Sequence, residues 1–388
     1  MLNYRQCGLL LAVMLSEMAG SRTVDVDIAP NPISRQQAPI ALLVDLSSGQ
    51  TLFAREADAR FLPASMTKAM TALVAFDLIK AGHLREDTFV TVRPETSRRW
   101  AGKGTTLNLR PNEQVRIGDL LMGVTAVSAN DAAVALAEAG LGSLEGWVGA
   151  MNARARVLGL TGSHFGTPNG FPDRGATYVT ARDMVKLASA LIIEHPELYR
   201  RYIGKQAMEW RGQRLISHDP FAGVVPGADG IKTGHTFEAG FNFLGTVERG
   251  GRRVVVVVGR SPNESARAAA SKGLVEWSYA ELDSRPFLQP DWIVGAIKVQ
   301  DGDARQVNVA VPRAYSIAVR RDIQPHITAR IVYNGPVRAP IARGAPVATL
   351  EIHGTGLPAH SIPLVAMHAI GKAGPIDRIV GGLLGLFS

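Results

Sequence analysis

The order of apolar and polar positions divides the chain into stretches of different texture. Residues 40–45 form an apolar run that stops at Ser47-Ser48-Gly49-Gln50, and residues 51–55 return, which predicts a hairpin. Pro63 then precedes a helical run, Ser65 to Ala81, closed by Gly82. Its Met66, Ala69, Met70, Leu73, Val74, Phe76, Leu78 and Ile79 cover nearly every direction around the axis. A helix that is apolar all round belongs inside a large domain. Helical spacing recurs at 117–126, 131–139, 145–158, 180–194 and Ala266–Leu282, and Arg253–Val258 is a β-branched run suited to a central strand. Strand, helices, strands and a final helix predict a mixed α/β domain over residues 40–285.

From about Pro286 the pattern changes. Short strand-like runs at 293–300, 305–311, 315–320, 326–333 and 346–352 alternate with Pro and Gly, which predicts a second, smaller all-β domain over 286–370. The two ends differ from both domains. Arg5, the apolar stretch Leu9–Leu15 and the small residues Ala19 and Gly20 form the pattern of an export signal over 1–20. Residues 21–39, with Pro30, Pro32 and Pro39, read as a linker. In 371–388 the positions Ile376, Ile379, Val380, Leu383, Leu384 and Phe387 fall on one helix face, too short to span a bilayer but able to lie in its surface. Against that helix, Gly381, Gly382 and Gly385 each cost about 0.8–1.0 kcal/mol relative to Ala.

Composition adds exclusions. The chain has 388 residues, 46% hydrophobic and 20% charged, which rules out long disorder. No apolar run reaches the roughly 20 residues of a membrane-spanning helix. The net charge of +8 comes mostly from scattered arginines, with no Lys/Arg run of five. That distribution argues for an anionic surface and against nucleic acid. The single cysteine, Cys7, lies in the leader, so cleavage near Gly20 would leave a mature protein with neither disulfide nor thiol chemistry.

Three short motifs carry candidate chemistry. Ser65-Met66-Thr67-Lys68 places a hydroxyl and an amine on one face of the first turn of the apolar helix. A Ser hydroxyl is a poor nucleophile until a base takes its proton, and a buried lysine has a lowered pKa that lets it be that base. Ser128-Ala129-Asn130-Asp131 lies between two helical patterns; it either caps the second helix or brings a hydroxyl and an amide into a cleft. Lys232-Thr233-Gly234, followed by His235, combines a cation, a hydroxyl and a residue that permits close backbone approach, an edge on which a peptide carboxylate can dock. Chance alone yields these patterns about 0.5, 0.6 and 0.05 times in this composition, so together they are improbable as accidents. His164, His218 and His235 have no metal-ligand spacing, and Gly-x-Gly-x-x-Gly is absent. Neither a metal nor a cofactor is expected.

In this order and spacing the motifs resemble the penicillin-recognising serine enzymes. Pro63-Ala64-Ser65-Met66-Thr67-Lys68, Ser128-Ala129-Asn130-Asp131-Ala132, Pro168-Asn169-Gly170-Phe171, Thr180-Ala181-Arg182-Asp183-Met184 and Asp229-Gly230-Ile231-Lys232-Thr233-Gly234-His235-Thr236 resemble the low-molecular-mass D-alanyl-D-alanine carboxypeptidases. The resemblance implies a β-lactamase/transpeptidase-like catalytic domain followed by a β-rich module. It implies that Ser65 is acylated, Lys68 is its base, and Ser128 and Asn130 form the second wall. Lys232 and Thr233 would bind a terminal carboxylate, and the N–H groups of Ser65 and His235 would form an oxyanion hole. The implied substrates are peptidoglycan stem peptides, with β-lactams as covalent inhibitors. The implied location is periplasmic, peripheral on the inner membrane through the tail. One departure stands out: where family members often carry Asn- and Arg-rich residues, this chain has Leu215-Ile216-Ser217-His218-Asp219. A β-lactamase or an endopeptidase on the same scaffold is the alternative. The Glu-x-x-x-Asn element of the best-known β-lactamase class is missing, since none of Glu138, Glu145, Glu194, Glu197 and Glu209 has Asn four residues on.

Overall fold

The computed structural model describes residues 12–15, 32–290, 292–321, 327–354 and 357–374. Among them the chain divides into two compact units: residues 32–46 with 53–278, and residues 12–15 and 47–52 with the stretch from 279 onwards. The C-terminal stretch 375–388 and most of the expected leader lie outside the described residues.

A five-stranded sheet, nearly all of it in the larger unit, runs in the order Gln50–Arg55, Ile40–Asp45, Arg252–Ser261, Gly240–Arg249, Ala228–Thr236. The valine run takes the middle position, with Val256 opposite both Leu43 and Gly245, and Val254–Val258 fully buried. A β-branched run covered on both faces is what such a position selects. Asp45, also fully buried, is held by Arg252 at 2.7 Å. Ala228–Thr236 is the last strand of the order, so one of its edges is unpaired in the sheet.

The apolar helix spans Lys68–Lys80, with every residue from Lys68 to Phe76 buried. It packs against helices Ile117–Thr125, Asn130–Leu141, Leu144–Val157 and Ala181–Glu194, which explains apolarity on all its sides. The boundaries of these helices have local causes. Ser143 and Thr180 cap their helices by accepting the N–H groups of Gly146 and Asp183, and Gly142 closes Asn130–Leu141 in the left-handed conformation. One expectation is corrected. The helical run is not α-helical from Ser65: Ala64–Thr67 is a 3₁₀ turn and the α-helix starts at Lys68. Ala64 at φ 48° bends the chain sharply there.

The smaller unit is β-structured. Its main sheet contains Ile327–Val332, Pro346–Gly354, Leu357–Ala366, Gln306–Ala310 and Gly295–Gln300 in that order, with Ala12–Leu15 parallel to Ile327–Val332 at one edge. Ile327, Ala329 and Ile331 enter the core while Thr328 and Arg330 face outward, and Arg330 pairs with Glu351 across the strands at 3.0 Å. A separate ribbon joins Leu282–Leu288 to Tyr315–Arg320. Of the strands that the sequence pattern does not predict, two have a visible cause. Leu282–Leu288 follows directly on the helix Glu264–Glu281 without a break, and Leu357–Ala366 contains Pro358 and Pro363, which mask its strand pattern.

Candidate active site

The site is assembled in the larger unit from the Ser65 turn, the start of the Asn130 helix, the loop at Asn169 and the edge strand of Lys232. Two glycines make this convergence possible. A Cβ on Gly234 would lie 2.1 Å from the carbonyl oxygen of Pro63, and one on Gly170, at φ 70°, would lie 1.9 Å from that of Ala64. Both positions therefore require glycine for the strand and the loop to close on the Ser65 turn.

Lys68 is completely buried, and its Nζ has three oxygen neighbours: Ser65 Oγ at 2.8 Å, Asn130 Oδ1 at 2.7 Å and the Asn169 carbonyl at 2.7 Å. Asn130 Nδ2 donates to the Lys103 carbonyl at 2.8 Å, which fixes the amide so that its oxygen faces Lys68. Two of the three neighbours can only accept. Burial, reinforced by the charge of Lys232 and opposed by that of Asp131, pushes the Lys68 amine well below its ordinary range. A neutral amine has two N–H donors and one lone pair. Asn130 and Asn169 use the donors, so the lone pair falls to the hydroxyl of Ser65. The contact that reverses direction on deprotonation is the one a general base needs.

Neighbouring groups hold this arrangement. Asp131 accepts the N–H groups of Leu107 and Leu109 at 2.9 and 3.0 Å, and Asn130 N–H donates to the Thr105 carbonyl at 2.8 Å, so the helix start is tied to the loop before it. Thr71 Oγ1 donates to the Pro168 carbonyl at 2.6 Å, and Phe171 N–H donates to Asn169 Oδ1 at 3.0 Å, which present the Asn169 carbonyl to Lys68. Ser128 is buried with φ 68°, in the left-handed region that non-glycine residues seldom adopt, and such outliers concentrate at functional sites.

On the other wall Lys232 and Thr233 are buried, and Lys232 Nζ donates to the Thr233 carbonyl at 3.1 Å. Burial lowers Lys232 to about 7, with Asp219 opposing that shift and Arg267 adding to it. His235 is exposed and its ring stacks on Phe241, with centroids 3.8 Å apart. A cavity of about 10 Å³ opens between Ser128, Lys232 and Thr233 on one side and Ser217, His218 and Asp219 on the other. The structure thus gathers Ser65, Lys68 and Asn130 into one hydrogen-bonded group, and Ser128 with Lys232 and Thr233 around one cavity. Asp131, Asn169 and Asp219 stand in stretches that the sequence reading quotes, but without a catalytic role of their own, and Arg267 is not singled out by sequence at all. Away from the site, Asp77, Glu194 and His195 bring ligand-type atoms within 4.8 Å of one another. Arg154 is paired with both carboxylates, so the charge that a cation would bring is already supplied.

The D-alanyl-D-alanine carboxypeptidase model of the serine peptidases matches residues 27–262, and the C-terminal domain model of penicillin-binding protein 5 matches residues 283–372. The chain belongs to the D-alanyl-D-alanine carboxypeptidase family. It is a serine hydrolase family whose members are low-molecular-mass penicillin-binding proteins. D-alanyl-D-alanine carboxypeptidase DacC of Escherichia coli (strain K12) is 31% identical over 350 residues, covering 87% of this chain and 85% of the relative. Penicillin-binding protein 5 of Haemophilus influenzae superposes with a TM-score of 0.75 at 28% identity, over 87% of this chain and 99% of the other. Penicillin-binding protein D2 of Listeria monocytogenes, solved in an ampicillin-bound form, matches with a TM-score of 0.56 at 29% identity, over 62% of this chain and 96% of the other. The expected mixed α/β catalytic domain with a smaller all-β domain after it holds, and the β-lactamase alternative is not favoured.

Proposed function

We propose that this chain removes the terminal D-alanine from peptidoglycan stem peptides through an acyl-enzyme on Ser65. Ser65 Oγ attacks the carbonyl carbon of the last peptide bond as its proton passes to Lys68 Nζ. The N–H groups of Ser65 and His235 take the developing oxyanion. The C–N bond then breaks, the leaving amine regains a proton through Ser128, and D-alanine departs. Water repeats the attack on the ester, Lys68 takes its proton, and Ser65 is released. Asn130 holds the substrate amide as well as Lys68, while Lys232 and Thr233 bind the terminal carboxylate beside Gly234. The observation that carries this reading is the buried Lys68 amine, 2.8 Å from Ser65 Oγ with its other two neighbours restricted to accepting.

β-Lactams would acylate the same serine because their strained amide stands in for the scissile bond. The reading includes export to the periplasm by the 1–20 leader and peripheral attachment to the inner membrane through 371–388. Among the described residues no helix is long and apolar enough to cross a membrane. The discriminating experiment is incubation with a fluorescent penicillin, followed over time. Stable label together with D-alanine release from a pentapeptide supports the carboxypeptidase. Rapid loss of label would instead indicate a β-lactamase, and no label would refute the serine chemistry.

A further inference from the structure

A cleft that receives a carboxylate should present cations, and this one does. Lys232 and Lys205 line it, and the charge of the buried Arg267 acts on both Lys232 and Asp219. Against that setting Asp219 is out of place. It lines the same small cavity as Lys232, Ser128 and Thr233, where an anion repels the ligand the cavity is built to hold. It is also held firmly. Its N–H donates to Ser217 Oγ at 3.2 Å and its Oδ1 accepts the Phe221 N–H at 2.9 Å. That local frame uses one carboxylate oxygen and leaves the other for the cavity. Lys232, for its part, spends one of its three donors on the Thr233 carbonyl.

We propose that Asp219 is a positioning residue of the carboxylate site, the counter-ion that keeps the buried Lys232 ammonium charged until a substrate carboxylate replaces its field. This rests on the carboxypeptidase reading for the identity of the substrate. The gain and the cost have opposite pH dependence. Where Lys232 would otherwise lose its proton, Asp219 preserves binding. Where Lys232 is charged regardless, Asp219 only repels the substrate. The other groups facing Lys232 do not supply this service. Arg267, paired with Glu264 at 2.8 Å, is a cation that opposes the charge on Lys232, Lys205 is a further cation, Lys68 is the neutral base of the mechanism, and His218, lowered by burial and by Lys232, is neutral where it matters. Burial raises the Asp219 carboxyl, and the Phe221 N–H, Lys232 and Arg267 each oppose that rise.

The test is Asp219→Asn, which keeps the side-chain oxygen that accepts from Phe221 and removes only the charge. The second-order rate constant of penicillin acylation and kcat/KM for D-alanine release are followed against pH. The expected result is a pair of crossing profiles. The variant should be about threefold better near pH 5 and about threefold worse near pH 8.5, because an alkaline limb lowered by about one pH unit costs about tenfold there against the threefold gain from removing the repulsion. The change should lie in KM, with kcat nearly unaltered. In a Lys232→Arg background the guanidinium stays charged, so adding Asp219→Asn should leave the alkaline limb in place. Parallel profiles, a uniform loss at all pH values, or the same alkaline shift in the Lys232→Arg background would overturn the proposal. Acylation separates this from the underlying reading: if the wild type is labelled but never releases D-alanine, the carboxypeptidase assignment fails and the crossing profiles still decide the role of Asp219.

Discussion

Lys68 and Lys232 are the same side chain, both buried, in two different regions of one cleft. Lys68 stands where a 3₁₀ turn becomes the central helix, with three oxygen neighbours, two of them unable to donate. Lys232 stands on an edge strand with one carbonyl and a small polar cavity. Burial lowers both, and the larger of the two further charges differs in sign: at Lys68 it is Lys232, which adds to the fall against Asp131, and at Lys232 it is Asp219, which resists the fall against Arg267. Identity of residue and degree of burial therefore do not determine chemistry. The first region favours a neutral amine with its lone pair on a serine, and the second favours a cation held ready for a carboxylate. In the proposed mechanism those are a base and an anion receptor, and each region fails at the other's task.

The sharpest way to break that contrast is Lys68→Arg. Arginine cannot deprotonate, so acylation should fall by about 10⁴-fold, the upper end for a general base, with the fold intact by circular dichroism. Lys232→Arg keeps the charge and should cost about tenfold to a hundredfold, mostly in KM, read from steady-state D-alanine release. Equal and complete loss in both would show that the two regions are not distinct. Gly234→Ala tests the geometry that joins them. Its Cβ would meet the Pro63 carbonyl at 2.1 Å, so strand and turn must separate. It should lower acylation at least as much as Lys232→Arg and cost about 1–3 kcal/mol in stability, measured by chemical denaturation.

The smallest effect is the pH dependence of the wild type. A base that must be neutral gives an acid limb, and a receptor that must be charged gives an alkaline limb near the Lys232 value of about 7 in the free enzyme. A bound carboxylate raises that value by stabilising the ammonium, so kcat should hold to higher pH than kcat/KM. Coincident alkaline limbs would mean that the substrate carboxylate does not meet Lys232.

What the sequence reveals differs between the two regions for physical reasons. Lys68 is legible because spacing and burial are both local: Ser65 is three residues away and the helix after it is apolar on all sides. The valine run 254–258 is legible as a central strand for the same kind of reason. The Asn169 contribution is not, because it comes from a backbone carbonyl that any residue carries. The 3₁₀ turn at Ser65 is hidden too, since a side-chain pattern cannot distinguish it from the first turn of an α-helix. Asp219 is 13 positions before Lys232 and reaches it only through the fold of the intervening chain. The strand Leu357–Ala366 escapes a pattern reading because Pro358 and Pro363 interrupt it, although Ile362 and Leu364 keep the period of two that buries them.

The most direct measurement is peptide mapping of the protein after reaction with a penicillin, by mass spectrometry, in wild type and in Ser65→Ala. A single penicilloyl adduct on the peptide containing Ser65, absent from the variant along with D-alanine release, is the expected result. An adduct on another serine, or release of D-alanine by Ser65→Ala at the wild-type rate, would contradict the assignment of Ser65 and Lys68 as nucleophile and base.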